Sequence, residues 1–257
     1  MNLSPSKASQ PALRYLLRVA DTCLIHAQRL AEWCGHAPVL EEDIALTNIA
    51  LDQIGQARAV FAHVAALEGA GRSEDDLAFL RIEREYLNPT LVELPRGDFA
   101  VTSLRNLFVA TFQTLLWSAL RDSKDSEVAA IAGKSIKEAL YHQRHAADWC
   151  VRLGQGTEES QRRMSAALEL LWPYVPELFE SSAEDLEAVH TGLGPDWSSL
   201  EGEWRQEVQR VLDEAGLAPP APSRFRSSGR LGRHSEHMGF LLAELQYLQR
   251  AVPEGRW

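Results

Sequence analysis

The stretch 135-SIKEALYHQRHAADW-149 decides how the chain is read. As an α-helix it places Glu138, His142 and His145 on one face, because residues three and four apart are helix neighbours. A carboxylate and two imidazoles converging inside a helical bundle are residue types that hold iron. Whether they form half of a metal site depends on what the other helices bring.

Around this stretch the pattern is helical throughout. Apolar residues recur at threes and fours from Leu13 to Cys34, where Gly35 and Pro38 stop the first helix. Glu41, Glu42 and Asp43 make the acidic first turn of a second helix, which ends at Gly69. Ser73 caps a shorter helix read through Leu87. The third long helix runs from Phe99 to about Arg121, and the fourth, from about Ser126 to Leu153, holds the stretch quoted above.

Thr157 opens a fifth helix, limited by Pro173 and Pro176. A short segment from Ser182 to His190 follows, then a helix capped by Ser198 and a last one from His234 to Ala251. No period-2 alternation is long enough for a sheet. The expected fold is all-α, a ferritin-like antiparallel helical bundle with additional C-terminal helices. The domain reading is a single unit over 1–257, with a flexible N-terminus at 1–12 and a Pro/Arg-rich surface crossover at 216–233.

Composition excludes several classes. Twenty-six basic against thirty-six acidic residues give a net charge of -10, which argues against nucleic acid or an anionic membrane as partner. There is no run of eighteen apolar residues and no apolar leader segment near Met1. Three cysteines without ladder spacing fit a reducing compartment, so a cytoplasmic location is expected.

A di-iron site in a bundle needs a Glu from each of two helices and a Glu-x-x-His pair from each of two others. Three residues after Glu138 comes Tyr141 rather than histidine, and on the second helix the best counterpart, Asp52, is followed three residues later by Gly55. The third long helix carries no acid between Asp98 and Asp122. The set Asp52, Glu138, Tyr141, His142 and His145 therefore reads as a degenerate site, its members hydrogen-bonded within the bundle or to a partner. The row Asn48, Asp52 and Gln56 is either a solvated face or an inward polar network. The one basic cluster, Arg224, Arg226, Arg230 and Arg233 with His234 and His237, is a candidate contact for a phosphate-bearing ligand or an acidic partner, or a solvated loop.

Four long stretches carry a family resemblance: LAEWCGHAPVLEEDIALTNIALDQIGQAR (Leu30–Arg58), EDDLAFLRIEREYLN (Glu74–Asn88), KEALYHQRHAADWCVRLGQGTEESQRRM (Lys137–Met164) and GRLGRHSEHMGFLLAELQYLQRAVPEGRW (Gly229–Trp257). They resemble the PaaC family, the structural subunits of bacterial phenylacetyl-CoA epoxidase, also called ring 1,2-phenylacetyl-CoA monooxygenase. The resemblance implies a ferritin-like fold with no cofactor of its own, paired with a homologous catalytic subunit that holds the di-iron centre. It further implies a separate reductase, O2-dependent epoxidation of phenylacetyl-CoA by the partner, and no catalytic residue in this chain. The alternatives are a di-iron oxygenase with an atypical site of its own and a stand-alone helical binding module.

Overall fold

Helix signals dominate the sequence, and the computed structural model, described for residues 10–253 and 255, contains helices and turns but no strand among those residues. The long elements are α1 (Gln10–Ala31), α2 (Leu40–Glu68), α5 (Phe99–Leu120) and α6 (Ser126–Gly154). Between α2 and α5 lie α3 (Glu74–Phe79) and α4 (Thr90–Glu93), and after α6 come α7 (Glu158–Leu171), α8 (Ala183–Thr191), α9 (Glu201–Glu214) and α10 (Glu236–Ala251).

Local chemistry sets the ends. The Asp98 carboxylate accepts from the Val101 N–H at 3.0 Å to open α5, and Asp125 accepts from Glu127 and Val128 to open α6. Gly69, at φ 63°, closes α2 in the left-handed region that glycine tolerates. Short turns after α1 and after α5 make two antiparallel hairpins. Residue pairing also runs antiparallel from α1 to α5 and from α2 to α6, as in a ferritin-like bundle. With that pairing α2 and α5 point the same way, so the chain must travel back along the bundle between them, and residues 69–98 do so.

Helix α5 is apolar on all sides and is buried along most of its length, which fits the middle of a layered helical fold. One face meets α1, α2 and α6. The other is covered by α7, α9 and the 3-10 segments Trp172–Phe179 and Trp197–Leu200. Trp204 and Trp197 are fully buried there, and the Trp204 indole donates to the Phe108 carbonyl at 2.8 Å. Rings of this size each contribute several kcal/mol, so Trp204→Ala belongs among substitutions costing about 3–5 kcal/mol.

Several boundaries move from their sequence positions. Residues 10–12 belong to α1 rather than to a flexible terminus, and residues 1–9 lie outside the described residues. The helix read from Ser73 to Leu87 stops at Phe79, because the chain then turns to seat Arg81 on Asp21. Asp196, not Ser198, supplies the cap before α9. Cys34 sits in the turn beyond α1, exposed, while Cys23 and Cys150 are buried, and all three are free thiols.

The segment 216–233 is exposed at 221–226, and its last part turns inward. Met238, Leu241 and Leu242 of α10 then join the same hydrophobic cluster as α1 and α5.

Candidate functional site

The four long helices meet in one polar layer. From α1 comes the Cys23 thiol, from α2 Gln53 and Gln56, from α5 Gln113 and Trp117, and from α6 Glu138. The Gln53 and Gln113 amides donate to each other's carbonyl oxygens at 2.6 and 2.8 Å. Gln113 also donates to the Cys23 sulfur at 3.3 Å. The Gln56 oxygen accepts from the Trp117 indole at 3.2 Å, while its amide nitrogen donates to Glu138 at 2.9 Å. Every amide here is satisfied, as burial demands. Burial raises the Cys23 thiol pKa well above its usual range, so it stands as a neutral, inert group.

Beside this layer the α2–α6 seam carries two one-to-one pairs. His142 Nε2 lies 3.0 Å from Asp52 Oδ2, and His145 Nε2 lies 2.9 Å from Glu42 Oε2. Burial pushes the His142 pKa down despite the adjacent Asp52, which favours a neutral ring donating from Nε2. Deeper in, His26 of α1 pairs with the Asn106 side-chain oxygen of α5 at 2.9 Å. Burial, then the positive charge of Arg105, lowers its pKa to about 3. The Nδ1 atoms of His26, His142 and His145 have no hydrogen-bond partner among the described residues.

Of the five residues expected at a degenerate site, Asp52, Glu138, His142 and His145 do line one seam, and Tyr141 does not. Its side chain is half exposed, outside the layer, with its ring centroid 6.1 Å from those of His142 and His145. Of the row Asn48, Asp52 and Gln56, only Gln56 points fully inward. Glu42, Gln53, Gln113, Cys23, His26 and Asn106 were not expected at the site. Glu42 read as part of an acidic first turn, and the others lie singly in apolar helices with no spacing motif to mark them.

The residue types and their placement do not fit a di-metal centre. Among the described residues no three His, Cys, Asp or Glu side chains converge as a ligand set. The position between the helices is filled by the glutamine pair, and each seam carboxylate engages a single histidine or glutamine. A bridging carboxylate would have to break these bonds.

The profile of the phenylacetic acid catabolic protein family matches residues 1–257. The chain belongs to that family. Over 243 residues it is 45% identical to the C component of the 1,2-phenylacetyl-CoA epoxidase of Escherichia coli (strain K12), covering 95% of this chain and 98% of that one. In this member of the phenylacetic acid catabolic family, the basic cluster is divided. Arg230 is buried, donating to the Glu177, Leu178 and Glu180 carbonyls and to Asp185, so it cannot serve a surface contact. His234 is also turned inward, with Nδ1 at 2.6 Å from Glu93 and Nε2 at 2.9 Å from the Tyr86 carbonyl. Arg224, Arg226 and Arg233 stay exposed, and His237 is part-exposed.

Among the described residues no helix is long and apolar enough to cross a membrane.

Proposed function

We propose that the chain is the non-catalytic structural subunit of a multicomponent 1,2-phenylacetyl-CoA epoxidase, holding and shaping a homologous di-iron catalytic subunit in aerobic phenylacetate degradation. The observation that carries this reading is the Gln53–Gln113 layer. Four helices arranged as in metal-binding bundles meet there in amides, a thiol and an indole. The whole-length similarity to the C component of the bacterial epoxidase supports the same role.

A partner is favoured by the outer surface of α2 and α6, where Ile44, Leu51, Leu140 and Tyr141 are 54%, 59%, 43% and 47% exposed. Apolar groups this open on the two helices that bear the seam fit an interface with another helical subunit. In this reading the reductase and phenylacetyl-CoA act through the catalytic partner, no cofactor resides in this chain, and the assembly works in the cytoplasm.

The test is co-expression with a di-iron catalytic member of the family. The two chains should co-elute on size exclusion, and Glu138→Gln or His142→Gln in this chain should leave turnover of the assembled complex largely intact. Separate elution, or loss of turnover with assembly preserved, would overturn the proposal.

A further inference from the structure

A concave feature that shares no residue with the α2–α6 seam lies at the start of α10. It is a cleft of about 450 Å³ with Arg226, Arg233 and His237 on its rim and Leu94, Tyr174 and Phe225 as its apolar wall. The Tyr174 and Phe225 rings pack edge to face, with centroids 5.0 Å apart. In a chain of net charge -10, two arginines facing one cavity are a local reversal of sign.

The cleft is built on a fixed frame. Arg230 is tied to Asp185 and three carbonyls, the Arg230 N–H donates to Glu177, and the Gly229 N–H donates to Thr90. A Cβ at Gly229 would stand 2.5 Å from the Asn88 carbonyl oxygen, and one at Gly232 would stand 2.3 Å from that of Arg84. Only glycine permits so close a seat. Arg233, one residue past this turn, therefore projects from an immobilised backbone, and its side chain has no partner among the described residues.

Some of the donors on this frame are unused. The hydroxyls of Ser227 and Ser235, both in the cleft lining, have no hydrogen-bond partner among the described residues. Ser235 is the residue before α10 yet gives no side-chain cap; its own N–H donates to Glu93 and the Met238 N–H to the Ser235 carbonyl, which leaves the Glu236 and His237 N–H groups of the first turn without a cap. The Arg226 guanidinium bonds to carbonyls of its own loop, with Glu180 at 3.9 Å. Glu236 is the one acid in the lining, and it is 84% exposed with its carboxylate 3.9 Å from His237.

Guanidinium groups, free hydroxyls and an uncapped helix start share one preference, a compact oxyanion with several acceptor oxygens. The aromatic wall adds room for an apolar portion beside it, and the volume suits a small molecule. We propose that this cleft binds a small phosphorylated ligand, with its phosphate between Arg226, Arg233 and the α10 N-terminus and a planar or apolar part against Tyr174 and Phe225. This site is independent of the subunit role proposed above.

The test is calorimetric titration of the whole chain with phenyl phosphate and with inorganic phosphate, using benzyl alcohol as the uncharged control. Phenyl phosphate should bind saturably with a Kd below about 1 mM. Arg233→Gln and Arg226→Gln should each weaken it about tenfold or more without moving the melting temperature, since both side chains are exposed. Phe225→Ala should weaken phenyl phosphate but not inorganic phosphate. Arg224→Gln, outside the cleft lining, should change nothing. The proposal fails if no saturation is seen by about 10 mM, or if Arg224→Gln matters as much as Arg233→Gln. It also fails if polyglutamate binds through the two arginines while phenyl phosphate does not, which would mark a docking surface for an acidic protein segment.

Discussion

Two regions of the molecule bury acids and bases, and they do so in different ways. At the C-terminal clasp each carboxylate gathers several donors from distant parts of the chain. Asp185 accepts from Arg18, Arg230 and both the N–H and hydroxyl of Ser182, and Glu93 accepts from Asn88, His234 and the Ser235 N–H. Both acids are fully buried. In the α2–α6 seam Glu42 and Asp52 are each held by a single histidine and Glu138 by Gln56 with Lys134 at 3.9 Å, and three buried imidazole nitrogens nearby lack partners among the described residues. The clasp ties distant segments together through multiply bonded carboxylates, with Arg18 Nε, Arg230 Nε and Asn88 Oδ1 left without partners among the described residues. The seam holds its carboxylates and imidazoles in separate pairs between facing helices.

The largest expected effect tests the clasp. Asp185→Ala leaves Arg18 and Arg230 charged and buried without their shared carboxylate, which should cost about 3–5 kcal/mol in urea unfolding. A loss below about 1 kcal/mol would mean the network is not structural.

Acid titration separates the regions next. His26 has a folded pKa of about 3 against an ordinary 6.5, so as pH falls through this window the unfolded chain takes up a proton that the folded chain refuses. Stability should drop by about 1.4 kcal/mol per pH unit from this residue, or about 2 kcal/mol at pH 5. His26→Gln should flatten that slope. An unchanged slope would place the acid sensitivity elsewhere.

The glutamine pair gives a smaller effect. Gln53→Leu alone strands the Gln113 amide and should cost about 1–3 kcal/mol, whereas Gln53→Leu with Gln113→Leu should cost less than the sum of the two single changes. Additive losses would show that the pair is not the unit.

The smallest effect has the opposite sign from His26. Burial pulls the His234 pKa down, but the hydrogen bond and charge of Glu93, the bond to the Tyr86 carbonyl and the charge of Glu83 together raise it above its ordinary value. Its contribution should be complete below the unfolded value and fade as pH rises through the raised folded value, an alkaline loss that Glu93→Gln removes.

Much of the bundle was legible because helix signals are local. Apolar spacing marked α1, and the acidic first turn with Gly69 bounded α2. The Ser135–Trp149 stretch also identified one wall of the seam. The polar layer was not legible, because Gln53 and Gln113 sit sixty positions apart and only the packing of α2 against α5 gives each a partner. Arg230 was misleading for a related reason. In a proline- and arginine-rich stretch it reads as a solvated surface cation, and nothing local announces the buried Asp185 or the glycines that let the turn press inward.

The most direct test of the central claim is the iron content of the chain produced in iron-replete cells, alone and in complex with its catalytic partner, with metal assigned to each polypeptide after separation. The account predicts no stoichiometric iron in this chain under either condition, whether or not Gln53 and Gln113 are intact. Two irons per chain, with Glu138→Ala and His142→Ala abolishing them, would contradict it.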